Sequence, residues 1–197
     1  MILSRRLALT SLIAVAGCSS MPKPPPGLRD DQAIVAPKLV MTIPAPAQAG
    51  SNVELAQSIV AHFSGQSFAL ELRIVIDPEK LYLVAMDGFG RRAMTVTFTR
   101  GAPPQIEQAD WLPVAFRPAD ILAAFVIVYW PQDVVAGAMK GDGVTVITQD
   151  KQRRVSRDGK DLIVVDYGQG TGWDRSATLK NIAFGYDITV QSARVEP

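Results

Sequence analysis

Phe68-Ala69-Leu70-Glu71-Leu72-Arg73-Ile74-Val75-Ile76-Asp77-Pro78 is the stretch that decides how this 197-residue chain folds. Phe68, Leu70, Leu72, Ile74 and Ile76 occupy every second position, and Ala69, Glu71, Arg73 and Asp77 stand between them. A period of two is that of a strand with one buried face; a helix would scatter these residues around its whole circumference. Asp77-Pro78 ends the run, because proline cannot donate to a ladder.

Working outward, Val53, Leu55, Ile59, Ala61 and Phe63 alternate in the same way, and Ser64-Gly65-Gln66 supplies a turn before the central run. An amphipathic helix is the alternative for this stretch. Beyond the central run, Leu81–Met86 is apolar on both faces, and Met94, Val96 and Phe98 alternate with Thr95, Thr97 and Thr99. The loop Asp87-Gly88-Phe89-Gly90 separates those two runs. Four consecutive antiparallel strands are expected.

The pattern breaks at Arg117-Pro118. Pro118–Tyr129 reads as a helix, with proline in its first turn and Pro131 just past its end. Ile121, Leu122, Phe125, Val128 and Tyr129 form a stripe, and Val126 and Ile127 add apolar surface outside it, which predicts burial on most sides. A second helix over Gln132–Lys140 should end at Gly141. Strands are then expected at Val144–Thr148, Arg153–Ser156, Leu162–Tyr167, Ala177–Leu179 and Tyr186–Arg194, with a hairpin turn at Asp158-Gly159. No repeat of fixed period is present.

At the other end of the chain, Arg5-Arg6, the short apolar run Leu7–Gly17 and the small residues before Cys18 have the layout of a signal peptide. That run is too short to span about 30 Å of hydrocarbon. Val15-Ala16-Gly17-Cys18 resembles the lipobox of bacterial lipoproteins. The resemblance implies cleavage before Cys18, acylation of its thiol, and, with Ser19 rather than aspartate in the next position, residence in the outer membrane. One acyl chain anchors marginally, two or three firmly. Seven of the fourteen prolines lie between Ser19 and Gly50. Residues 18–50 therefore read as an extended tether, with Ile34–Ile43 able to dock as an edge segment, and 51–197 as one domain.

Composition narrows the function. The formal charge is +1, and −1 once Arg5 and Arg6 are cleaved away, so no global field draws the protein to nucleic acid. The one cysteine is Cys18; with it acylated, disulfides and thiolate metal sites are excluded. No ligand cluster suggests a metal and no motif suggests a cofactor. The one histidine, His62, has no nucleophile-elbow pattern with it and reads as solvent-facing or structural. Gly168-Gln169-Gly170-Thr171-Gly172 lacks a following helix to receive a phosphate and reads as a flexible hairpin loop. Asp30-Asp31 reads as a solvated pair. Lys151, Arg153, Arg154, Arg157 and Lys160, interspersed with Asp150, Asp158 and Asp161, read as a solvated hairpin face, with lipid headgroups as the alternative partner.

The order of parts over about 52–195 resembles the family of the outer-membrane lipoprotein LolB, and a neighbouring group of proteobacterial lipoproteins, some encoded beside aryl-polyene biosynthesis genes. The segments that carry the resemblance are Leu81–Phe98 with Asp87-Gly88-Phe89-Gly90, Leu112–Trp130, and Val144–Tyr167 with Arg153-Arg154-Val155 and Asp158-Gly159-Lys160. The proline-rich segment departs from the family, which has an N-terminal helix there. The resemblance implies an α+β, mainly β fold: a strongly curved, incomplete antiparallel barrel, its open side covered by short helices.

It implies as well a periplasm-facing protein that holds acyl chains and receives or inserts lipid or lipoprotein cargo, with a LolA-like carrier as partner; with no motif around His62 it reads as non-enzymatic, and a monomer is favoured though the sequence leaves the oligomeric state open. Phe68, Leu70, Leu72, Ile74, Ile76, Ile121, Leu122 and Phe125 are the residues expected to line its cavity. Gly88, Phe89 and Gly90 would form a membrane-insertion loop, its ring turned outward by two positive-φ glycines, with Arg91 and Arg92 meeting phosphates. The competing class is a structural or adaptor lipoprotein with a closed core; a periplasmic hydrolase using His62 ranks third.

Overall fold

A computed structural model describes residues 27–112 and 118–195. The central run becomes β4 (Gln66–Ile76), preceded by β3 (Val53–Phe63) and followed by β5 (Lys80–Met86), β6 (Arg92–Thr99) and the short β7 (Gln105–Gln108). After two helices come β9 (Val144–Gln149), β10 (Gln152–Arg157), β11 (Lys160–Thr171), β12 (Asp174–Asn181) and β13 (Tyr186–Arg194), and the two sets join because β13 pairs with β3. The result is a curved ten-stranded antiparallel sheet in the order β7-β6-β5-β4-β3-β13-β12-β11-β10-β9, open between β7 and β9. The fold is mainly β, as the alternation predicts.

Alternation decides which face is inward. Leu72, Ile74 and Ile76 are buried while Glu71 and Arg73 are exposed, and the register sets Leu55 opposite Ile74 and Gln57 opposite Leu72. One core runs the length of the sheet. Over its inner face lie α1 (Pro118–Tyr129) and α2 (Gln132–Ala138), inserted between the two halves. Helix α1 is buried nearly all round, with Leu122 and Val126 at 0% exposure, and packs against β1 (Gln32–Ala36) and β12.

Several expectations need correction. The segment read as tether is structured from Gln32 onward: β1, β2 (Leu39–Thr42) and β8 (Met139–Lys140) form a small second sheet, and Ala33, Val35, Leu39, Met41 and Ile43 join the core. The described prolines there mark element ends, Pro37 in the β1–β2 turn, Pro44 after β2 and Pro46 as the first residue of a short 3-10 helix (Pro46–Ala49), so they punctuate the elements instead of extending the chain. The second helix stops at Ala138, since Met139 and Lys140 pair with Met41 and Val40. The glycine-rich stretch 168–172 is no flexible loop: β11 runs through to Thr171 with a bulge, and a Cβ at Gly170 would overlap the Asp174 carbonyl oxygen. Polar β7 has no sequence signal, because it is an edge strand that buries almost nothing.

Arg153 also leaves the solvated face assigned to it. Only 5% exposed, it donates from Nη1 to the Ile127 carbonyl (2.5 Å) and from Nε to the Thr148 hydroxyl (2.9 Å), while Tyr167 donates its hydroxyl to the Val128 carbonyl (2.9 Å). Together they cap the last turn of α1, where carbonyls lack helical partners and the helix dipole is negative. Burial pushes the Arg153 guanidinium pKa down, and nearby Arg175 adds to this.

Candidate functional site

The register fixes which loops share an end of the sheet. The β3–β4 turn lies at Ser64–Gly65, and β4 pairs with β5 from Ile76↔Leu81 to Glu71↔Met86, so the β5–β6 loop leaves at that same end. The β6–β7 ladder, closing at Met94↔Gln108, brings residues 109–112 there, and Tyr186↔Phe63 brings the β12–β13 turn. Three large apolar side chains are exposed at this end: Phe89 by 89%, Ile182 by 56% and Trp111 by 42%. Single exposed hydrophobes are ordinary; Phe89 and Trp111 are set apart because one side chain, Arg91, lies against both rings.

The Phe89 loop is held rigidly from below. Asp87 Oδ1 accepts the backbone N–H groups of Phe89 (3.0 Å) and Arg91 (2.9 Å), Oδ2 accepts Arg91 Nε (2.8 Å), and the backbone closes with Gly90 N–H to the Asp87 carbonyl (2.9 Å). Gly90, at φ +76°, makes the turn; Gly88 has no positive φ, so one glycine does the work expected of two. Desolvation works against the charged Asp87 carboxylate, yet the hydrogen bonds from Arg91 and Phe89 hold its pKa below the ordinary value. The Phe89 ring has no part in this network. It projects because the turn beneath it is complete without it.

Trp111 is the residue that sequence reasoning missed. The Arg91 guanidinium lies 4.7 Å from the Trp111 ring centroid and 5.8 Å from that of Phe89, placing one cation between two exposed aromatics. Arg91 is also paired with Asp87 (2.7 Å), and Arg92 stands 3.8 Å from Glu107. The positive charge expected to seek phosphates is thus matched by acids of the protein itself. What the tip offers is aromatic surface.

The residues expected to line a cavity divide into two groups. Leu72, Ile74, Ile76, Leu122 and Phe125 are enclosed in the core, Ile74 and Leu122 with no exposed area at all, so nothing the size of water adjoins those two side chains. Phe68, Leu70 and Ile121 are half-buried, and so is Ile59, which stands opposite Leu70 in the ladder. They carry the inner face of the sheet and the start of α1 toward the end that bears Phe89.

Elsewhere chemistry is sparse. His62 Nδ1 lies 2.8 Å from Ser67 Oγ across the β3–β4 ladder, with Asp187 opposite it on β13. All three stand on the outer face of the sheet. Among the described residues no group of three His, Cys, Asp or Glu could hold a metal. A groove of about 480 Å³ beside the basic hairpin is lined by Ile147, Lys151, Arg154, Asp166 and Tyr167, mixed in charge. Arg154 pairs with Asp161, and Arg157 donates to the Pro37 and Lys38 carbonyls (3.0 and 3.1 Å). Among the described residues no helix is long and apolar enough to cross a membrane. Cys18 and the signal peptide lie outside the described residues.

A family model described as a protein of unknown function, DUF3261, matches residues 54–194. No curated protein matches the chain. Among solved structures, the chain is similar to a putative outer membrane lipoprotein-sorting protein domain from Vibrio parahaemolyticus, at 9% identity and a TM-score of 0.38, over 73% of this chain and 85% of that one. It is similar also to a DUF1329 family protein from Desulfovibrio piger, at 7% identity and a TM-score of 0.33, over 75% and 87%.

Proposed function

We propose that this chain, which belongs to the DUF3261 family, is a non-enzymatic lipoprotein of the outer membrane that handles acylated cargo, a lipid or a lipoprotein, and docks on the bilayer through its Phe89 tip. The carrying observation is the Phe89 ring, 89% exposed on a loop whose every turn bond is made without it. An apolar ring held out at no structural gain is surface kept for an apolar partner. Trp111 beside it suits the water–hydrocarbon boundary, where amphipathic rings reside. Acyl chains would meet half-buried Ile59, Phe68 and Leu70 on the inner face of the sheet and half-buried Ile121 near the start of α1. Acylated Cys18 would hold the protein at the membrane surface, and a LolA-like carrier or polyene lipids would supply the cargo.

A second reading, an adaptor that holds envelope partners, draws support from the enclosed core, where Ile74, Leu83, Val96 and Leu122 have no exposed area. Native mass spectrometry separates the two. Copurifying lipid, or saturable displacement of a fluorescent fatty acid, is the expected result; a chain that carries no lipid and displaces no probe supports the adaptor. Anchoring is read independently by labelled palmitate, which should enter the wild type and be lost in Cys18→Ala.

A further inference from the structure

Trp111 is presented in the same way as Phe89, from a turn that is complete without its ring. Ala109 N–H donates to the Ala93 carbonyl (2.9 Å), which ties the segment after β7 back to β6, and Leu112 N–H closes the turn on the Ala109 carbonyl (3.0 Å). Leu112 is buried and anchors this turn from inside, while Trp111 beside it is exposed. The Trp111 indole N–H has no acceptor among the described residues; the contact its ring makes is with the Arg91 guanidinium, which lies near the Phe89 ring as well. A ring with an apolar body and a free donor suits the boundary between headgroups and hydrocarbon.

The charges around the two rings decide which headgroups they can meet. Arg91 commits Nε (2.8 Å) and Nη2 (2.7 Å) to Asp87 Oδ2, and a lipid phosphate would have to displace that carboxylate to reach them. Arg92 stands against Glu107. Asp110, exposed and adjacent to Trp111, has no ion pair among the described residues. Two cations therefore stand among three carboxylates, and the tip is net negative. An acidic leaflet carries a negative surface potential that attracts basic clusters and repels a tip of this sign.

We propose that Phe89 and Trp111, with Arg91 between them, form one two-ring docking surface that selects a zwitterionic phospholipid surface over an acidic one. The inference rests on the bilayer-docking reading given above and adds to it a second inserting ring and a headgroup preference. Asp87, Glu107 and Asp110 set that preference by cancelling or outweighing the two arginines.

The test floats the chain from Ser19 onward, which keeps every described residue and lacks the acylated cysteine, with two kinds of vesicle. One is made of phosphatidylethanolamine and phosphatidylcholine; in the other, phosphatidylglycerol replaces the phosphatidylcholine. The wild type is expected to bind the zwitterionic vesicles and to bind the acidic ones no more tightly. Trp111→Ala should weaken binding to both tenfold or more. Glu107→Gln combined with Asp110→Asn turns the tip net positive, and should strengthen binding to acidic vesicles severalfold while leaving the zwitterionic ones unchanged. In the unaltered chain, lipids brominated along the acyl chain should quench Trp111, since Trp130 and Trp173 are buried, so the second ring stays testable if Trp111→Ala fails to fold. Tighter wild-type binding to acidic vesicles, or a double variant with no gain on them, overturns the headgroup preference and leaves docking through Phe89 standing. Wild-type affinity in Trp111→Ala, or an unquenched Trp111 on a bound chain, overturns the second ring. A chain that floats with neither vesicle overturns the bilayer-docking reading and this inference with it.

Discussion

Replacing Phe89 by alanine separates a docking tip from a packed side chain. The ring is 89% exposed, and the loop is held through Asp87, the Phe89 amide and Arg91. Removing the ring leaves every one of those bonds in place. Stability should therefore change by no more than about 0.5 kcal/mol, as for ordinary surface substitutions, which for a unit of this size is under about 2 °C in Tm. A packed ring would instead cost about 3–5 kcal/mol on truncation, or about 6–20 °C. On a bilayer the balance reverses. Full burial of a Phe side chain contributes about 1.5–3 kcal/mol, so Phe89→Ala should weaken vesicle binding by about tenfold to 150-fold. Flotation with phosphatidylethanolamine and phosphatidylglycerol vesicles measures this. Trp111 serves as internal reporter, since Trp130 and Trp173 are 1% and 7% exposed; its emission should shift to the blue on docking. Because Arg91 and Arg92 already face Asp87 and Glu107, added salt should affect binding little. Vesicle binding by Phe89→Ala equal to that of the wild type, or a Tm loss in the packed range, would refute the assignment.

Glycine substitutions test the sheet. Gly170→Ala, at φ +87° and against the Asp174 carbonyl, should cost more than about 4 kcal/mol or prevent folding, whereas Gly88→Ala, with open space and no positive φ, should lie within about 1 kcal/mol of wild type by urea denaturation. Arg153→Met leaves the Ile127 carbonyl buried without its donor, so a loss of about 1–3 kcal/mol is expected, with faster hydrogen exchange in the last turn of α1. Asp161 and Asp166 have pKa values lowered chiefly by hydrogen bonds from Ser156 and Gln152, aided by Arg154 and Lys180. Their contribution is present above the unfolded-state pKa of about 3.9 and lost as pH falls through the lower folded values, so the urea midpoint should drop below about pH 4. Tyr186 acts at the other extreme: burial pushes its pKa up to about 12, so stability present below about pH 10 should be lost between there and pH 12.

The sequence by itself determined the class of fold. Side chains with a period of two have one way to bury their apolar face, so β3 to β6 and the strands after α1 were legible from composition and turns. Helix α1 was legible too, because apolar residues all round a helix leave burial as its stable place. Tertiary structure decided what depends on neighbours distant in the chain. Proline content placed 18–50 in a tether, yet β1 and β2 pair and pack because β8 and α1 offer them an edge and a face. Arg153 looks like any other member of a basic hairpin until the C-terminus of α1 lies across it, 26 positions earlier in the chain. Phe89 could be singled out in the sequence through the resemblance of its loop to that of the LolB family, with the flanking glycines in support, but Trp111 could not, since its role comes from Arg91 reaching it across the β5–β6 and β7 loops. Local periodicity fixes which face of an element turns inward; only the assembled, curved sheet fixes which side chains from separate loops meet, because that is a matter of register and distance.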